Sequence, residues 1–163
     1  MWQAFFDSLP LTREVVIEQG TTGWEKIMSP FAAVRAWRLP VTASYFVQGV
    51  FSLAAIAATM RLAWNGRPAL RNAATGAAVL IATPYVLDYD YVVLLLGIAF
   101  LLKDGEERGW GSWERTLLGF AWVAPLVARA VAEATLVPIG LASAVAVLAI
   151  AIRRNIRASP SRR

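Results

Sequence analysis

The chain contains no cysteine and no histidine. The first absence excludes a disulfide framework, a thiolate metal site and a thiol nucleophile. The second excludes a Ser-His-Asp triad, a His-ligated zinc and the side chain that most often acts as a base near neutral pH. No metal or cofactor is expected, and proton transfer falls to Asp, Glu, Lys, Arg, Tyr, Ser or Thr. Charge is scarce as well. Only 17% of the 163 residues are Asp, Glu, Lys or Arg, against about a quarter in a typical soluble domain. Hydrophobic residues make up 58%, and the mean hydropathy is +0.53.

What is present is a series of apolar runs. A helix needs about 20 apolar residues to cross about 30 Å of hydrocarbon. Residues 41–60, 85–102, 116–132 and 135–152 meet that need, with Pro125 as an expected kink. Residues 73–82 form a shorter run that reaches a workable length only if extended over 70–84. The fold class expected is all-α, a polytopic integral membrane bundle of about five spanning helices. The second and third runs are alternatively a re-entrant hairpin. Ahead of them, residues 11–19 and 24–37 place apolar and charged residues on a helical period. Both are expected to be amphipathic helices in the interface plane, or else a helical cap packed on the bundle. Thr22 is a candidate N-cap, and Pro30 marks a break or a helix start. The expected organisation is an interfacial region over 1–40, a bundle over 41–152 and a basic tail over 153–163.

The net charge of +5 and pI near 10.2 raise the question of nucleic acid. The basic residues answer it by their order along the chain. Residues 61–71 hold three Arg and no acid, residues 103–115 hold Lys103, Arg108 and Arg115, and the tail holds five Arg. These stretches fall on one side if the runs alternate, and the positive-inside rule makes that side cytoplasmic. Membrane topology accounts for the charge, and no nucleic-acid partner is expected. The N-terminal forty residues, the stretch 83–91 and the turn after Arg129 then share the outer face.

The stretch 83–91 is the least ordinary part of the chain. It carries Asp88, Asp90 and three tyrosines between two apolar runs. Asp at the centre of a spanning helix costs about 2.5–3.5 kcal/mol on insertion scales, so a carboxylate there is a candidate for function. Pro84 cannot donate a backbone bond and disfavours helix at Thr83. On a helix Asp88 would share a face with Tyr85 and Tyr91, with Asp90 turned away. A solvated turn at the membrane edge is the alternative. Arg129 and Glu133 are spaced to pair on a helix. The candidate substrate-binding residues are therefore Lys26, Arg35, Tyr85, Asp88, Asp90, Arg129 and Glu133. Cations beside a carboxylate at a membrane surface suit a substrate bearing a phosphate and a hydroxyl. Ion pairs that only join helices would leave the same pattern.

Several short pieces carry a family resemblance. Phe5-Phe6-Asp7-Ser8-Leu9-Pro10, Glu18-Gln19-Gly20, Gly23-Trp24-Glu25-Lys26, Ser29, Phe31 and Val34-Arg35 resemble the exoplasmic region of bacterial glycosyltransferase family 87. Ala82-Thr83-Pro84-Tyr85 with Asp88-Tyr89-Asp90, and Pro125-Leu126-Val127-Ala128-Arg129, resemble its later membrane segments. The resemblance implies a GT-C-like hexosyltransferase of the bacterial cytoplasmic membrane. Its donor would be a polyprenyl-phosphate-linked sugar, often mannose, and its acceptor a lipid or glycan on the outer face. In such enzymes the catalytic acid lies in an early exoplasmic loop that has no counterpart here. The chain is thus expected to be the C-terminal part of a longer parent, inactive without the N-terminal half, with Asp88 and Asp90 as the only catalytic candidates. A small non-enzymatic membrane protein, a transporter half or an assembly subunit, is the competing reading. A transporter would hold its carboxylates at mid-depth, a lipid-linked transferase at the rim.

Overall fold

The computed structural model describes residues 13–158 except Thr22, together with Trp2, Phe6 and Pro10. Six α-helices form among them: α1 Pro30–Ala36, α2 Val41–Asn65, α3 Pro68–Ala82, α4 Val92–Arg108, α5 Glu114–Thr135 and α6 Ile139–Ala158. No strand forms among the described residues, and one isolated antiparallel bridge joins Ile27 to Leu87. The chain is an all-α bundle. The expected N-cap at Thr22 and the end of the tail over 159–163 lie outside the described residues.

Three helices, α2, α5 and α6, are long and apolar enough to cross a membrane. On α2 the buried residues are Ser44, Gln48, Ala55 and Leu62, a narrow stripe, while Phe46, Leu53 and Trp64 stay exposed. One packed stripe and an apolar remainder is what a helix bordered by hydrocarbon needs. The shorter helices α3 and α4, of 15 and 17 residues, rise about 22 and 25 Å. They still run antiparallel between the two ends of the bundle. Arg67 meets Asp104 at one end, Ala73 meets Gly97 midway, and residues 83–91 close the other end. They therefore run the length of the bundle as an antiparallel pair.

Helix α3 is central, packed against α2, α4 and α6. Its buried face is mostly alanine: Ala73, Ala74, Ala77 and Ala78, with Leu70, Leu80 and Ile81. Small residues let backbones approach where hydrocarbon offers no hydrophobic drive between helices. At Gly97 of α4 a Cβ would lie 3.2 Å from both the Ala73 carbonyl oxygen and Val147 Cγ1. A larger residue there would force three helices apart.

Pro84 ends α3 and leaves its last carbonyls without intrahelical donors. The side chains of α2 supply them. Gln48 Nε2 donates to the carbonyls of Ile81 and Ala82 at 3.0 and 3.2 Å, and Ser52 Oγ donates to Ala82 at 3.0 Å. The Gln48 carbonyl oxygen then accepts the Phe31 N–H of α1 at 3.1 Å. One buried amide thus ties α1, α2 and α3. Helix α1 starts at Pro30, capped by Ser29 Oγ, which accepts the Ala32 N–H at 3.1 Å. Its residues Pro30, Phe31, Ala32, Ala33 and Val34 are all buried. So α1 is packed into the end of the bundle, as the alternative of a helical cap has it, and the stretch 24–37 divides at Pro30 into a 3-10 turn, Trp24–Lys26, and this short buried helix. The earlier stretch contributes a single π-helical turn, Arg13–Glu18.

Three other boundaries differ from expectation. Helix α2 runs on to Asn65, so Arg61 is helical and the turn shrinks to Gly66 and Arg67. Helix α6 runs to Ala158 and absorbs Arg153, Arg154 and Arg157. The third span begins at Val92, not at 85, because 83–91 is held in an irregular path by the Ile27–Leu87 bridge and a 3-10 turn, Asp88–Tyr91. Helix α5 continues through Pro125.

Candidate functional site

One end of the bundle gathers residues 24–38, 83–91 and 133–140. Its joints are mostly backbone. The Met28 N–H donates to the Val86 carbonyl at 2.8 Å, beside the bridge of Ile27 to Leu87. Buried Tyr91 donates its hydroxyl to the Met28 carbonyl at 3.0 Å. That burial pushes the phenol pKa up, so Tyr91 remains a donor. Trp37 Nε1 donates to the Leu136 carbonyl at 3.0 Å. Arg38 and Leu136 hold φ of 61° and 59°, a left-handed conformation that costs an L-residue about 1–2 kcal/mol. The turns at this end are shaped at that cost.

The candidate residues all lie at or near this end, but they do different things. Lys26 closes the 3-10 turn just before the bridge, and Asp88 opens the other 3-10 turn just after it. The bridge joins Ile27 to Leu87 alone, so each of these two residues lies one position from it, in its own turn. No ion pair joins them among the described residues. Asp88 Oδ1 accepts the Tyr89 N–H at 3.0 Å, and Asp90 Oδ2 accepts the Leu87 N–H at 2.9 Å. Both carboxylates thus cap local backbone. The helical face once expected for Tyr85, Asp88 and Tyr91 does not exist, since only Asp88–Tyr91 forms a turn and Tyr85 sits in the preceding extended stretch. Arg35 is engaged by its surroundings: it donates to the carbonyls of Leu39 and Glu18 at 2.7 and 3.2 Å, and stacks 5.3 Å from the Trp24 ring. Arg129 pairs with Glu133 at 3.5 Å, both about half exposed.

Two cavities open here. The first, about 260 Å³, lies between residues 24–36 and the mouth of α5 and α6. Its walls are apolar, from Met28, Ala33, Ala128 and Ala132, with the carboxylates of Glu25 and Glu133. The second, about 270 Å³, lies between the 3-10 turn and α5. Asp88 is its one ionisable carboxylate, set among Tyr89, Trp122, Leu94 and Pro125. A carboxylate accepts from hydroxyls while an aromatic face covers C–H groups, a pairing suited to a polyhydroxylated ligand. Lys26, Arg35, Tyr85, Asp90 and Arg129 line neither cavity.

The opposite end holds what the sequence did not single out. Arg154, 6% exposed, donates to Asp104 at 2.8 Å and to Glu114 at 2.5 Å; those acids are 2% and 1% exposed. Arg67 joins Asp104 at 3.0 Å, and Arg108 and Arg157 approach the two acids at 3.7 Å. The Gly111 N–H donates to Glu114 at 2.8 Å. The hydrogen-bonded partners of Arg67 and Arg154 among these acids are 37 to 50 residues away. A carboxylate within the last apolar turns of α4, at Asp104, was the available signal.

An all-α bundle with membrane-spanning helices and an irregular polar rim at one end defines a polytopic membrane protein. The model of glycosyltransferase family 87 matches residues 1–87, just over half of the chain, and the chain belongs to that family. It is a family of membrane glycosyltransferases. The matched part contains α1, α2, α3 and Lys26; Asp88, Asp90 and the stretch 125–129 lie beyond it. No curated protein and no solved structure matches the chain.

Proposed function

We propose that this chain carries the donor- and acceptor-handling end of a hexosyltransferase. It moves a hexose such as mannose from a polyprenyl-phosphate carrier to a lipid or glycan acceptor on the outer face of the bacterial cytoplasmic membrane. The observation that carries the reading is Asp88 on an aromatic-lined cavity, at the end of the bundle to which the Ile27–Leu87 bridge also brings the turn that holds Lys26. Lys26 neutralises the carrier phosphate as it leaves. The second oxygen of Asp88 accepts an acceptor hydroxyl and orients it. Arg129 lies near the mouth through its pair with Glu133, whereas Arg35 serves the fold. In the transfer the acceptor oxygen bonds to the sugar C1, the C1–O bond to phosphate breaks, and the hydroxyl proton passes to a base. We assign that base to an N-terminal segment outside these residues, where the family resemblance puts the catalytic acid, and give Asp88 only the orienting role.

The test is transfer from a labelled polyprenyl-phosphate hexose in membranes. The chain is assayed alone and with the N-terminal half of a family member on a second chain. Transfer should need both, fall on Asp88→Asn, and show a raised donor KM on Lys26→Ala. Transfer by this chain alone that is lost on Asp90→Asn would move the base into the 3-10 turn. No transfer in either arm would reject the reading. The end bearing Arg67 and Arg154 is cytoplasmic in this scheme, so a C-terminal reporter active only outside the cytoplasm should stay silent.

A further inference from the structure

The Arg-rich end is built for more than joining helices. Four guanidinium groups, Arg67, Arg108, Arg154 and Arg157, face two buried carboxylates, Asp104 and Glu114, around a cavity of about 290 Å³. Four positive and two negative charges leave a formal excess of +2. Two donors inside the cluster, Arg67 Nε and Arg154 Nε, are buried with no partner, and Glu114 Oε1 has no hydrogen bond. Unmet buried donors beside a positive excess call for an anionic acceptor that also carries a hydroxyl.

Two independent features say where that acceptor comes from. Trp64 and Trp113, at this same end, are 75% and 74% exposed, and exposed Trp marks the headgroup level of a spanning protein. The wall of the cavity is also shared. Trp110 lines both it and a separate groove of about 550 Å³ between α4 and α5. That groove is walled by Ile98, Leu102, Leu118, Gly119 and Trp122, with Glu106 and Arg115 also on it. Arg154 and Arg115 both lie over the Trp110 ring, at 5.2 and 5.0 Å. A polar cavity and an apolar groove thus meet at one indole.

We propose that this end binds an anionic phospholipid with a hydroxylated headgroup. The phosphate sits among Arg67, Arg108, Arg154 and Arg157, a headgroup hydroxyl donates to Glu114 Oε1, and one acyl chain lies in the α4–α5 groove past Trp110. Basic pockets between spanning helices on the cytoplasmic side hold acidic headgroups in this manner. The site is separate from the sugar-handling end and stands whether or not transfer occurs there.

The experiment is native mass spectrometry of the chain in detergent, with phosphatidylglycerol or phosphatidylcholine of the same acyl chains. Phosphatidylglycerol should be retained about tenfold more strongly. Arg108→Gln with Arg157→Gln should remove most of that preference. Both residues are about half exposed, so the fold survives, as circular dichroism can verify. Gly119→Phe should lower phospholipid retention while leaving the fold intact, because a Cβ at Gly119 meets open space. Equal retention of the two lipids, or indifference to both variants, overturns the site. Competition by inorganic phosphate with no effect of Gly119→Phe would make it a free-anion site and overturn the lipid. Stronger retention of undecaprenyl phosphate than of phosphatidylglycerol would assign it to the carrier instead.

Discussion

The two ends of this bundle are held by different chemistry. The Arg67–Arg154 end is closed by charged side chains that come from four helices or their flanks and meet in the interior. The opposite end is closed by backbone: a bridge, two 3-10 turns, a capped short helix and two indole or phenol donors aimed at carbonyls. Buried charges resist change because removing one partner strands another. Backbone joints leave side chains free to face cavities, and Asp88, Glu25 and Glu133 do face them. The rigid end suits anchoring. The end with open cavities suits handling a substrate.

The comparison breaks most sharply at Arg154. Arg154→Ala leaves Asp104 and Glu114 buried without their main partner and should lower stability by about 3–5 kcal/mol. Arg154→Met combined with Asp104→Asn and Glu114→Gln removes the buried charges and keeps their acceptors, so it should recover most of the loss. Unfolding in a mixed-detergent titration measures both. If the single variant is as stable as the unaltered chain, the cluster is solvated and the contrast between the ends collapses.

A smaller loss is expected at the other end. Gln48→Leu strands the Ile81 carbonyl and the Phe31 N–H, while Ser52 still serves Ala82. The cost should be about 2 kcal/mol, seen in the same titration. Hydrogen exchange at Phe31 should rise ahead of global unfolding, since this amide is the tie between α1 and the spanning helices.

Tyr91→Phe removes one hydroxyl donor and should cost about 1 kcal/mol. It also carries a pH signature. The folded phenol is shifted above its unfolded value by burial, so its contribution is complete below about pH 10 and declines as pH rises through the folded value. Stability of the unaltered chain should therefore fall more steeply above pH 10 than that of Tyr91→Phe. Identical slopes would mean that Tyr91 is reached by water.

The smallest effect is expected at Arg129. Its pair with Glu133 is about half exposed, so Arg129→Ala should change stability by about 0.5 kcal/mol or less. If transfer falls while stability holds, Arg129 acts on a ligand.

Hydropathy and proline placement are local properties, and local structure followed from them. The runs that became α2, α5 and α6, the break at Pro84 and the start at Pro30 are each legible within a window of about 20 residues. Alternation of those runs was also enough to group 24–38, 83–91 and 133–140 at one end and the Arg-rich stretches at the other. What the sequence by itself determined is thus the helices and which loops are neighbours. Only the tertiary structure decided what the polar residues do. Gln48 reads as one amide in an apolar run until Pro84 is seen to leave two carbonyls beside it. Asp104, Glu114 and Arg154 read as loop and tail charges until three helices bring them within 3 Å. Asp90 reads as a candidate acid until its oxygen is found on the Leu87 N–H. The physical reason is range: burial into an apolar phase is set residue by residue along the chain, whereas a hydrogen bond or ion pair requires a partner placed by every turn between them.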